Sequence, residues 1–356
     1  MPLKFAKKLI AAQTFESAAV FDVDGDGVLD IVSGGFWYKG PDFRQWFAIG
    51  DVKREGEYYD DFSTIPMDVN GDGRMDFITG GWWGDSIRWR ENPGKAGAPW
   101  PEHLIADKIG NVETTRAWDI DGDGVAEVIP NTPGHALCAY KLIKGQGRFS
   151  KHVLYPSGLG HGLGCGDIDG DGRPEIITPK GFLKPKGDPL GEWQLFPEFE
   201  LNKDASIPIL VCDVNGDGLP DLISGHSHSY GLDWWEQKRD GSGRRSWIKH
   251  AIDPFNSQYH DMFWVDIDGD GQRELVTGKR FRAHCGRDPG EFDDIGIYYF
   301  KWTGEGFAKQ VIDYGPPGVG AGCGIHFALA DLRGTGRLDI VAPGKDGLHV
   351  LYNEGT

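Results

Sequence analysis

Short apolar segments recur along the whole chain, each bounded by glycine, proline, aspartate or asparagine. "SAAVF" and "IVSGG", for example, stand before and after the first acidic stretch. Their length and their β-branched and aromatic residues predict strands. An alternating aromatic strand and a further apolar strand then follow in the same order. The aromatic segments include "IRWREN" (87–92), "LDWWEQ" (232–237) and "GIYYFKW" (296–302), and the later ones include "WPEHLIA" (100–106), "FSKHVLY" (149–155), "WIKHAID" (247–253) and "FAKQVID" (307–313).

An acidic loop joins the first two strands of each unit and gives the clearest internal repeat. The pattern D-x-[DN]-G-D-G-x-x-[DE] occurs six times, with a degenerate seventh copy at 331–339, at intervals of 46 to 65 residues. Four short strands repeated seven times are typical of a β-propeller. The sequence therefore predicts an all-β fold, a seven-bladed β-propeller of four-stranded blades that forms one domain over 1–356. The six regular copies lie at 22–30, 68–76, 119–127, 167–175, 213–221 and 266–274.

The two chain ends indicate how the ring closes. "FAKKLIA" at 5–11 has the pattern of a fourth strand, although it precedes the first acidic loop. The last unit, about 322–356, ends at its third strand, "LHVLYNEG". We therefore expect segment 5–11 to complete the last blade, which would protect an otherwise open sheet edge.

The acidic loops have the ligand spacing of calcium sites. Oxygen-bearing side chains stand at loop positions 1, 3, 5 and 9, and the backbone carbonyl of position 7 can join them. Ca²⁺ takes roughly six to eight oxygen ligands, and without an ion the crowded carboxylates would repel one another. A single copy could be an unliganded turn, but six copies favour about six structural Ca²⁺ ions. The seventh loop, with Arg333 and Thr335 at acidic positions, is expected to bind none. The expected ligands are Asp22, Asp24, Asp26, Val28, Asp30, Asp68, Asn70, Asp72, Arg74, Asp76, Asp119, Asp121, Asp123, Val125, Glu127, Asp167, Asp169, Asp171, Arg173, Glu175, Asp213, Asn215, Asp217, Leu219, Asp221, Asp266, Asp268, Asp270, Gln272 and Glu274.

The acidic composition says little about partners once such ions are counted. Six divalent ions would change the formal net charge from −17 to about −5. The chain has no basic surface pattern for nucleic acid and no apolar run long enough to span a bilayer, so neither is an expected partner. The N-terminal residues lack the apolar core of a secretory signal, which favours the cytoplasm.

The loops and the unit length resemble the FG-GAP/VCBS class of calcium-binding propellers over essentially the whole chain. "WRENPG" (89–94), "GLDWWEQ" (231–237) and "LVTGKRFRAHCGRDPGE" (275–291) are similar to a subgroup that includes the propeller portion of aldos-2-ulose dehydratase. That resemblance implies loss of water from anhydrofructose or glucosone. Seven-bladed rhamnosyl-glucuronate lyases are a related possibility, and the multi-domain fungal dehydratase has further domains that this sequence lacks.

Unusual polar residues gather at the other end of the predicted blades. Turns between second and third strands, and connections from a fourth strand to the next first strand, surround the mouth of the central channel there. "GHSHSYGLDWW" (225–235) is such a turn. Histidines from several blades at one end are harder to explain as capping residues than one histidine would be. The candidate substrate-binding residues are Trp82, Trp83, Arg116, His135, His284, His326 and Lys345.

This composition of the mouth favours a carbohydrate lyase or dehydratase that performs β-elimination on a small keto sugar. A base removes the α-proton, cations hold the enolate, and an acid protonates the departing oxygen. A second version places a divalent metal among the histidines of the mouth, His226 and His228 included. The candidate catalytic residues are the bases His161 or His260, the acids Tyr230, His226 or His228, and the enolate-binding cations Arg282 and Lys180.

Other functions stay open at this point. A lyase that cleaves a uronic-acid glycoside would use the same acid and base groups. A paired-carboxylate glycosidase with Glu57 or Glu113 is conceivable, but cations outnumber acids at the mouth. A non-catalytic propeller that binds sugar or protein is the alternative of another class, although such a binder has no need to collect imidazoles.

Overall fold

The computed structural model describes residues 2–356, and strands and turns make up that range with no helix. Seven antiparallel sheets of four strands each form the blades of a ring. This confirms the predicted all-β, seven-bladed propeller. Over residues 2–356, no helix of the length and apolarity required to cross a bilayer is present.

The strands follow one another as meanders, and the first strands of several neighbouring blades are in contact. Strand β1 (Lys4–Ala11) precedes blade 1. Blades 1 to 3 and the hairpin after blade 1 consist of β2 (Ala19–Phe21), β3 (Asp30–Ser33), β4 (Phe36–Lys39), β5 (Gln45–Ala48), the hairpin β6 (Arg54–Glu55) and β7 (Tyr58–Tyr59), β8 (Ile65–Met67), β9 (Asp76–Gly81), β10 (Ser86–Arg90), β11 (Glu102–Asp107), β12 (Thr114–Trp118), β13 (Glu127–Asn131), β14 (Leu137–Ile143) and β15 (Arg148–Tyr155).

Blades 4 to 7 repeat the same order, and the last of them has only three strands from its own segment. They consist of β16 (Gly164–Gly166), β17 (Glu175–Thr178), β18 (Gly181–Pro185), β19 (Trp193–Phe196), β20 (Leu210–Cys212), β21 (Asp221–Gly225), β22 (Leu232–Arg239), β23 (Arg245–Ala251), β24 (Tyr259–Val265), β25 (Glu274–Lys279), β26 (Ile295–Trp302), β27 (Phe307–Gly315), β28 (Ala328–Ala330), β29 (Asp339–Ala342) and β30 (Leu348–Gly355).

The N-terminal strand closes the ring as the sequence predicts. β1 pairs antiparallel with β30, from Lys4 opposite Gly355 to Ala11 opposite Leu348. The sheet order β1-β30-β29-β28 therefore gives blade 7 its fourth strand. Hydrogen bonds between the two ends of the chain thus replace an exposed sheet edge.

Hydrophobic packing joins each blade to the next. Seven apolar clusters lie between neighbouring blades, one for each interface of the ring. Between blades 1 and 2, for example, Trp37 packs with Phe77 and Trp100. Burial of one large apolar side chain stabilises the fold by about 1.5–3 kcal/mol. The blades therefore depend on one another for most of their buried surface.

Hydrogen bonds within the acidic loops stabilise the turn between the first two strands of each blade. In blade 1, Asp22 Oδ1 accepts a hydrogen bond from Gly25 N at 2.8 Å, and its Oδ2 accepts one from Gly27 N at 2.9 Å. Gly25 and Gly27 have φ angles of 75° and 83°, which side-chain-bearing residues rarely adopt. Asp30, at position 9, accepts from Val23 N at 2.9 Å. The conserved spacing of acids and glycines along the repeat therefore has a structural role in the turn itself.

Candidate functional site

Four blades each bring one ionisable side chain to a single cluster at the end of the ring opposite the acidic loops. Glu113 directly precedes β12, His161 lies before β16, His228 is in the turn between β21 and β22, and His260 belongs to β24. One ligand-type atom from each of the four lies within 4.8 Å of those of the others. We call these residues the His3Glu cluster.

The distances within the cluster are short, and its side chains are buried. His161 Nε2 and His260 Nε2 each lie 3.2 Å from the same oxygen, Glu113 Oε1. His228 Nε2 lies 3.3 Å from His161 Nε2. Three imidazole nitrogens therefore approach one another and one carboxylate oxygen in a largely buried cluster.

The hydrogen bonds at the far side of two rings fix which nitrogen carries the proton. His161 Nδ1 lies 2.8 Å from the carbonyl oxygen of Ala205, and a carbonyl can only accept, so Nδ1 is the donor. His228 Nδ1 likewise donates to Asp288 Oδ2 at 2.9 Å. In the neutral rings the lone pairs on Nε2 then face each other across 3.3 Å. Such an arrangement is unfavourable unless a proton or a metal ion lies between the two nitrogens.

The cluster fits a divalent transition metal. Ligand atoms about 2.0–2.1 Å from a tetrahedral Zn²⁺ are about 3.3 Å apart, and the three shortest distances in the cluster are 3.2, 3.2 and 3.3 Å. Burial lowers the pKa of His228 and sets the pKa of His260 well below its usual range. Burial also lowers the pKa of His161, but the negative charge of Glu113 outweighs it and leaves the pKa raised. Without a metal, His161 would therefore hold a proton against Glu113.

Asp288 links the cluster to a fourth histidine nearer to solvent. Its Oδ2 accepts from His228 and its Oδ1 accepts from His284 Nδ1 at 2.9 Å. The His284 ring stacks on His228, with 3.8 Å between centroids and 6° between planes. The side chain of His284 is 46% exposed. A carboxylate thus orients one buried imidazole and one accessible imidazole at the same time, as in the outer shells of metal sites.

A cavity of about 330 Å³ lies beside the cluster. Glu113 and His284 belong to its wall, so the cavity meets the cluster at these two side chains. Tyr58 and Trp83 stand with their rings 4.6 Å apart, centroid to centroid, and form part of an aromatic wall. The lining residues are Tyr58, Phe62, Trp82, Trp83, Glu113, Arg280, Ala283 and His284.

A buried ion group underlies the cavity. Arg280 Nε donates to Glu16 Oε1 at 2.8 Å, and Lys345 Nζ lies 3.1 Å from Glu16 Oε2. The remaining nitrogen of Arg280, Nη1, lies 3.8 Å from Glu113 Oε1. Burial raises the pKa of Glu16, but the two cations outweigh burial and leave the pKa lowered. Arg280 also lines the cavity, so the group presents one edge of a guanidinium to it.

The structure brings together only part of the predicted catalytic set. His161, His228 and His260 meet in the cluster. Because they lie inside it, their positions suit metal ligands and not bases or acids. The other four predicted catalytic residues do not line the cavity. His226 Nε2 bonds Asp233 at 2.6 Å, Tyr230 OH donates to Asp293 at 2.5 Å, Arg282 pairs with Glu57 at 2.6 Å, and Lys180 is exposed on its turn.

The predicted substrate-binding residues also divide. Trp82, Trp83 and His284 line the cavity, and Lys345 lies below it with Nζ 4.2 Å from the centre of the Tyr58 ring. Arg116 and His326 line a different cavity of about 890 Å³, where Arg116 pairs with Asp261 at 2.9 Å. His135 lies at a third cavity of about 450 Å³. Turns at the same end of the ring thus direct side chains to different depths and radii, which sequence position alone does not reveal.

Several residues of the site were absent from the predicted set, above all Glu113 as a ligand, Asp288, Glu16 and Arg280. A signal for some of them exists in the repeat. Glu16, Glu113, His161 and His260 all stand six residues before the first aspartate of their acidic loops. Equivalent positions in a closed ring of blades converge on the channel mouth. Asp288 carries no such signal, because it lies in the loop after β25 of blade 6, and the other blades have no equivalent of this loop.

Comparisons with known proteins agree with the fold. An FG-GAP-like repeat model matches residues 68–129 and 213–277, so the chain carries FG-GAP-like repeats. No curated protein matches the chain. The crystal structure of BBS1N in complex with ARL6DN aligns with 100% of this chain and 97% of its own, at 10% identity and a TM-score of 0.56. That likeness supports the propeller fold alone.

Two further structures align less closely. The biofilm matrix protein Bap1 of V. cholerae has 15% identity and a TM-score of 0.36, with 90% of this chain and 44% of its own aligned. A protein of Bacteroides uniformis, named as a candidate 6-phosphogluconolactonase, has 11% identity and a TM-score of 0.47, with 95% and 94% aligned. The resemblance to aldos-2-ulose dehydratase has no support among these comparisons and stays a prediction.

Proposed function

We propose that the chain is a metal-dependent carbon–oxygen lyase that acts on a small keto or acidic sugar in the cavity beside the His3Glu cluster. One observation carries this proposal: three imidazoles and a carboxylate converge at 3.2–3.3 Å at the wall of a cavity that also presents an accessible His–Asp pair. A purely sugar-binding propeller has no use for either arrangement.

The metal would be held by His161, His228, His260 and Glu113. A divalent ion with these four ligands would take a carbonyl or carboxylate oxygen of the substrate as a fifth ligand, and as a Lewis acid it would make the neighbouring C–H bond more acidic. Glu113 and Arg280 Nη1 lie 3.8 Å apart at the cavity wall, so the substrate oxygen would also have a guanidinium donor at hand.

His284 is the residue placed for proton transfer. Asp288 holds its Nδ1 proton at 2.9 Å, which leaves Nε2 as the basic nitrogen of a half-exposed ring. Nε2 removes the proton α to the carbonyl, and the C–H electron pair becomes the new C=C bond as the C–O bond at the β-carbon breaks. The imidazolium returns its proton to the departing oxygen. The sugar loses one water, and His284 ends neutral.

The cavity wall presents aromatic and cationic side chains that suit a sugar. Tyr58 and Trp83 offer aromatic faces for the C–H face of a ring, and Arg280 offers a guanidinium to a substrate that becomes anionic.

Product formation tests the proposal directly. The purified chain, reconstituted with Zn²⁺, Mn²⁺ or Fe²⁺ in turn, would be incubated with keto sugars and with uronic-acid glycosides. Absorbance of a conjugated carbonyl, confirmed by NMR of the product, reports elimination. We expect product from a keto sugar with wild type and with His226→Ala, and product formation slower by about 10²-fold or more with His284→Ala. Calorimetric binding of these sugars without any product would support a lectin and overturn the proposal.

A further inference from the structure

The acidic loops fall into classes that depend on one partner residue in the third strand. In every blade, loop position 10 lies on the second strand and pairs with one residue of the third strand. The next residue along the third strand points to the loop. That residue is lysine where position 3 is aspartate and glutamate where position 3 is asparagine. The pairs are Asp24 with Lys39, Asp121 with Lys141, Asp169 with Lys184, Asp268 with Lys301, Asn70 with Glu91, Asn215 with Glu236, and, in blade 7, Arg333 with Tyr352.

In the four aspartate loops the lysine lies among the carboxylates expected to hold calcium. Lys301 Nζ lies 2.6 Å from Asp268 and 2.5 Å from Asp270, at positions 3 and 5. Lys39 and Lys141 reach the position-5 carboxylates of their own loops at 2.6 Å.

The Lys184 ammonium lies near three carboxylates of the acidic loop of blade 4. It contacts Asp169, lies 2.7 Å from Asp171 and is 3.3 Å from Oε1 of Glu175 at position 9. Oxygens of Asp167, Asp169 and Glu175 are close enough to one another to hold an ion. Three of the side chains that would bind the ion thus already share a cation.

The asparagine loops exchange donor and acceptor. Asn70 Nδ2 donates to Glu91 Oε1 at 3.3 Å, and Asn215 Nδ2 donates to Glu236 Oε1 at 3.0 Å. In blade 7 the Arg333 guanidinium lies 4.9 Å from the centre of the Tyr352 ring and pairs with Asp339 at 3.1 Å. Each class therefore matches an N–H donor to an acceptor at the same two positions of the blade.

We infer that the lysine of the third strand replaces calcium in the acidic loops of blades 1, 3, 4 and 6. The ammonium carries a positive charge and three N–H donors, and it lies where an ion would have to bind. A second cation beside it would meet direct charge repulsion. The residues of these four loops therefore do not fit the six-ion expectation. The loops of blades 2 and 5 lack this lysine, although Arg74 pairs with Asp72 and Lys238 lies 3.6 Å from Asp217, so these two loops set an upper limit of two ions.

Calcium stoichiometry tests the inference. Equilibrium dialysis of wild type should find no more than two Ca²⁺ per chain. Lys184→Gln removes the ammonium from blade 4, and it should bind one further Ca²⁺ and gain a calcium-dependent rise in Tm of roughly 2 °C or more. Lys186→Gln is the matched control, because Lys186 bonds only Glu192 on the surface and is 49% exposed. More than two ions in wild type, or no additional ion in Lys184→Gln, would overturn the inference.

An exchange between loop classes provides a second test that does not depend on Lys184. Asn70→Asp adds a carboxylate to blade 2, and Glu91→Lys places a lysine beside an amide. Each single variant should lower Tm, whereas the double variant recreates the aspartate–lysine pair and should recover most of the loss in the presence of a calcium chelator. A double variant as unstable as the sum of its singles would contradict the inference.

Discussion

The two ends of the ring use the same repeat in opposite ways. At the acidic-loop end, the first aspartate and the glycines recur in each regular copy. Loop position 3 varies between aspartate and asparagine, and its third-strand partner in the same blade varies with it. At the mouth, the position six residues before that aspartate differs from blade to blade. It holds Glu16, Phe62, Glu113, His161, Ile207, His260 and Ile325 in chain order. Repetition at one end therefore maintains the scaffold, and divergence at the other assembles a chemical site.

Changes in the His3Glu cluster should have the largest effect on activity. His228→Ala removes one ligand and should lower kcat/KM by about 10³-fold or more, because the Lewis acid is lost with it. The Tm should fall only by the amount that the bound metal contributes to it. Steady-state kinetics and bound-metal analysis would be compared with His226→Ala, whose imidazole bonds Asp233 outside the cavity. Equal losses in both variants would remove the distinction between the two histidines of this turn.

His284 and Asp288 should rank next. His284→Ala should lower kcat by about 10²–10³-fold, in the range of general acid–base catalysis, while metal content is retained. Asp288→Asn should lower kcat by about ten- to a hundredfold, because the amide no longer orients both imidazoles. The split between the two kinetic constants distinguishes these roles from a structural one: kcat should fall in both variants while KM and metal content stay near those of wild type. Unchanged kcat in both would contradict a role in proton transfer.

A substitution in the aromatic wall should affect binding more than turnover. Trp83→Ala should raise KM by about tenfold, because it removes one stacking face of the cavity, and kcat should stay within a factor of about three. Trp46→Ala, at an aromatic side chain 60% exposed outside the cavity, is the control and should leave both constants unchanged. A fall in kcat with KM unchanged would assign Trp83 to the transition state instead.

The smallest effect is expected at the acidic-loop end, and it should concern stability alone. Lys141→Gln leaves the loop carboxylates of blade 3 without their ammonium, and Lys141 is 22% exposed. The expected loss is about 1 kcal/mol or less of unfolding free energy, since partly exposed ion pairs contribute little. Denaturant unfolding measures this loss, and kcat/KM should equal that of wild type. A large loss of activity would mean that the two ends are coupled.

The sequence predicted the fold well because the fold depends on local patterns that repeat. Strand periodicity, acidic turns and the unpaired segment 5–11 each act over a few residues, and seven copies reinforce one another. The site was harder, since it requires the radius and direction of single side chains. His161, His228 and His260 were among the predicted residues, but Lys180 lies on an equivalent turn and is exposed. No periodicity marks Asp288, because only the fold brings it within 2.9 Å of His228.

The acidic loops show a second limit of motif reading. Their spacing is that of a calcium loop, and at the acidic positions the six regular copies differ chiefly in aspartate or asparagine at position 3. The lysine or glutamate that completes each regular loop lies 15 to 21 residues after loop position 3 in five of the six blades, for example Lys39 after Asp24 and Glu91 after Asn70. Only the pairing of the second and third strands identifies these residues as partners of the loop.

Anomalous X-ray diffraction from crystals grown with Zn²⁺ tests the central claim most directly. The account predicts one strong peak at the zinc edge, within bonding distance of Glu113, His161, His228 and His260, that disappears in His228→Ala crystals. A data set with no peak among these four side chains, although zinc was supplied, would contradict a metal centre at the propeller mouth.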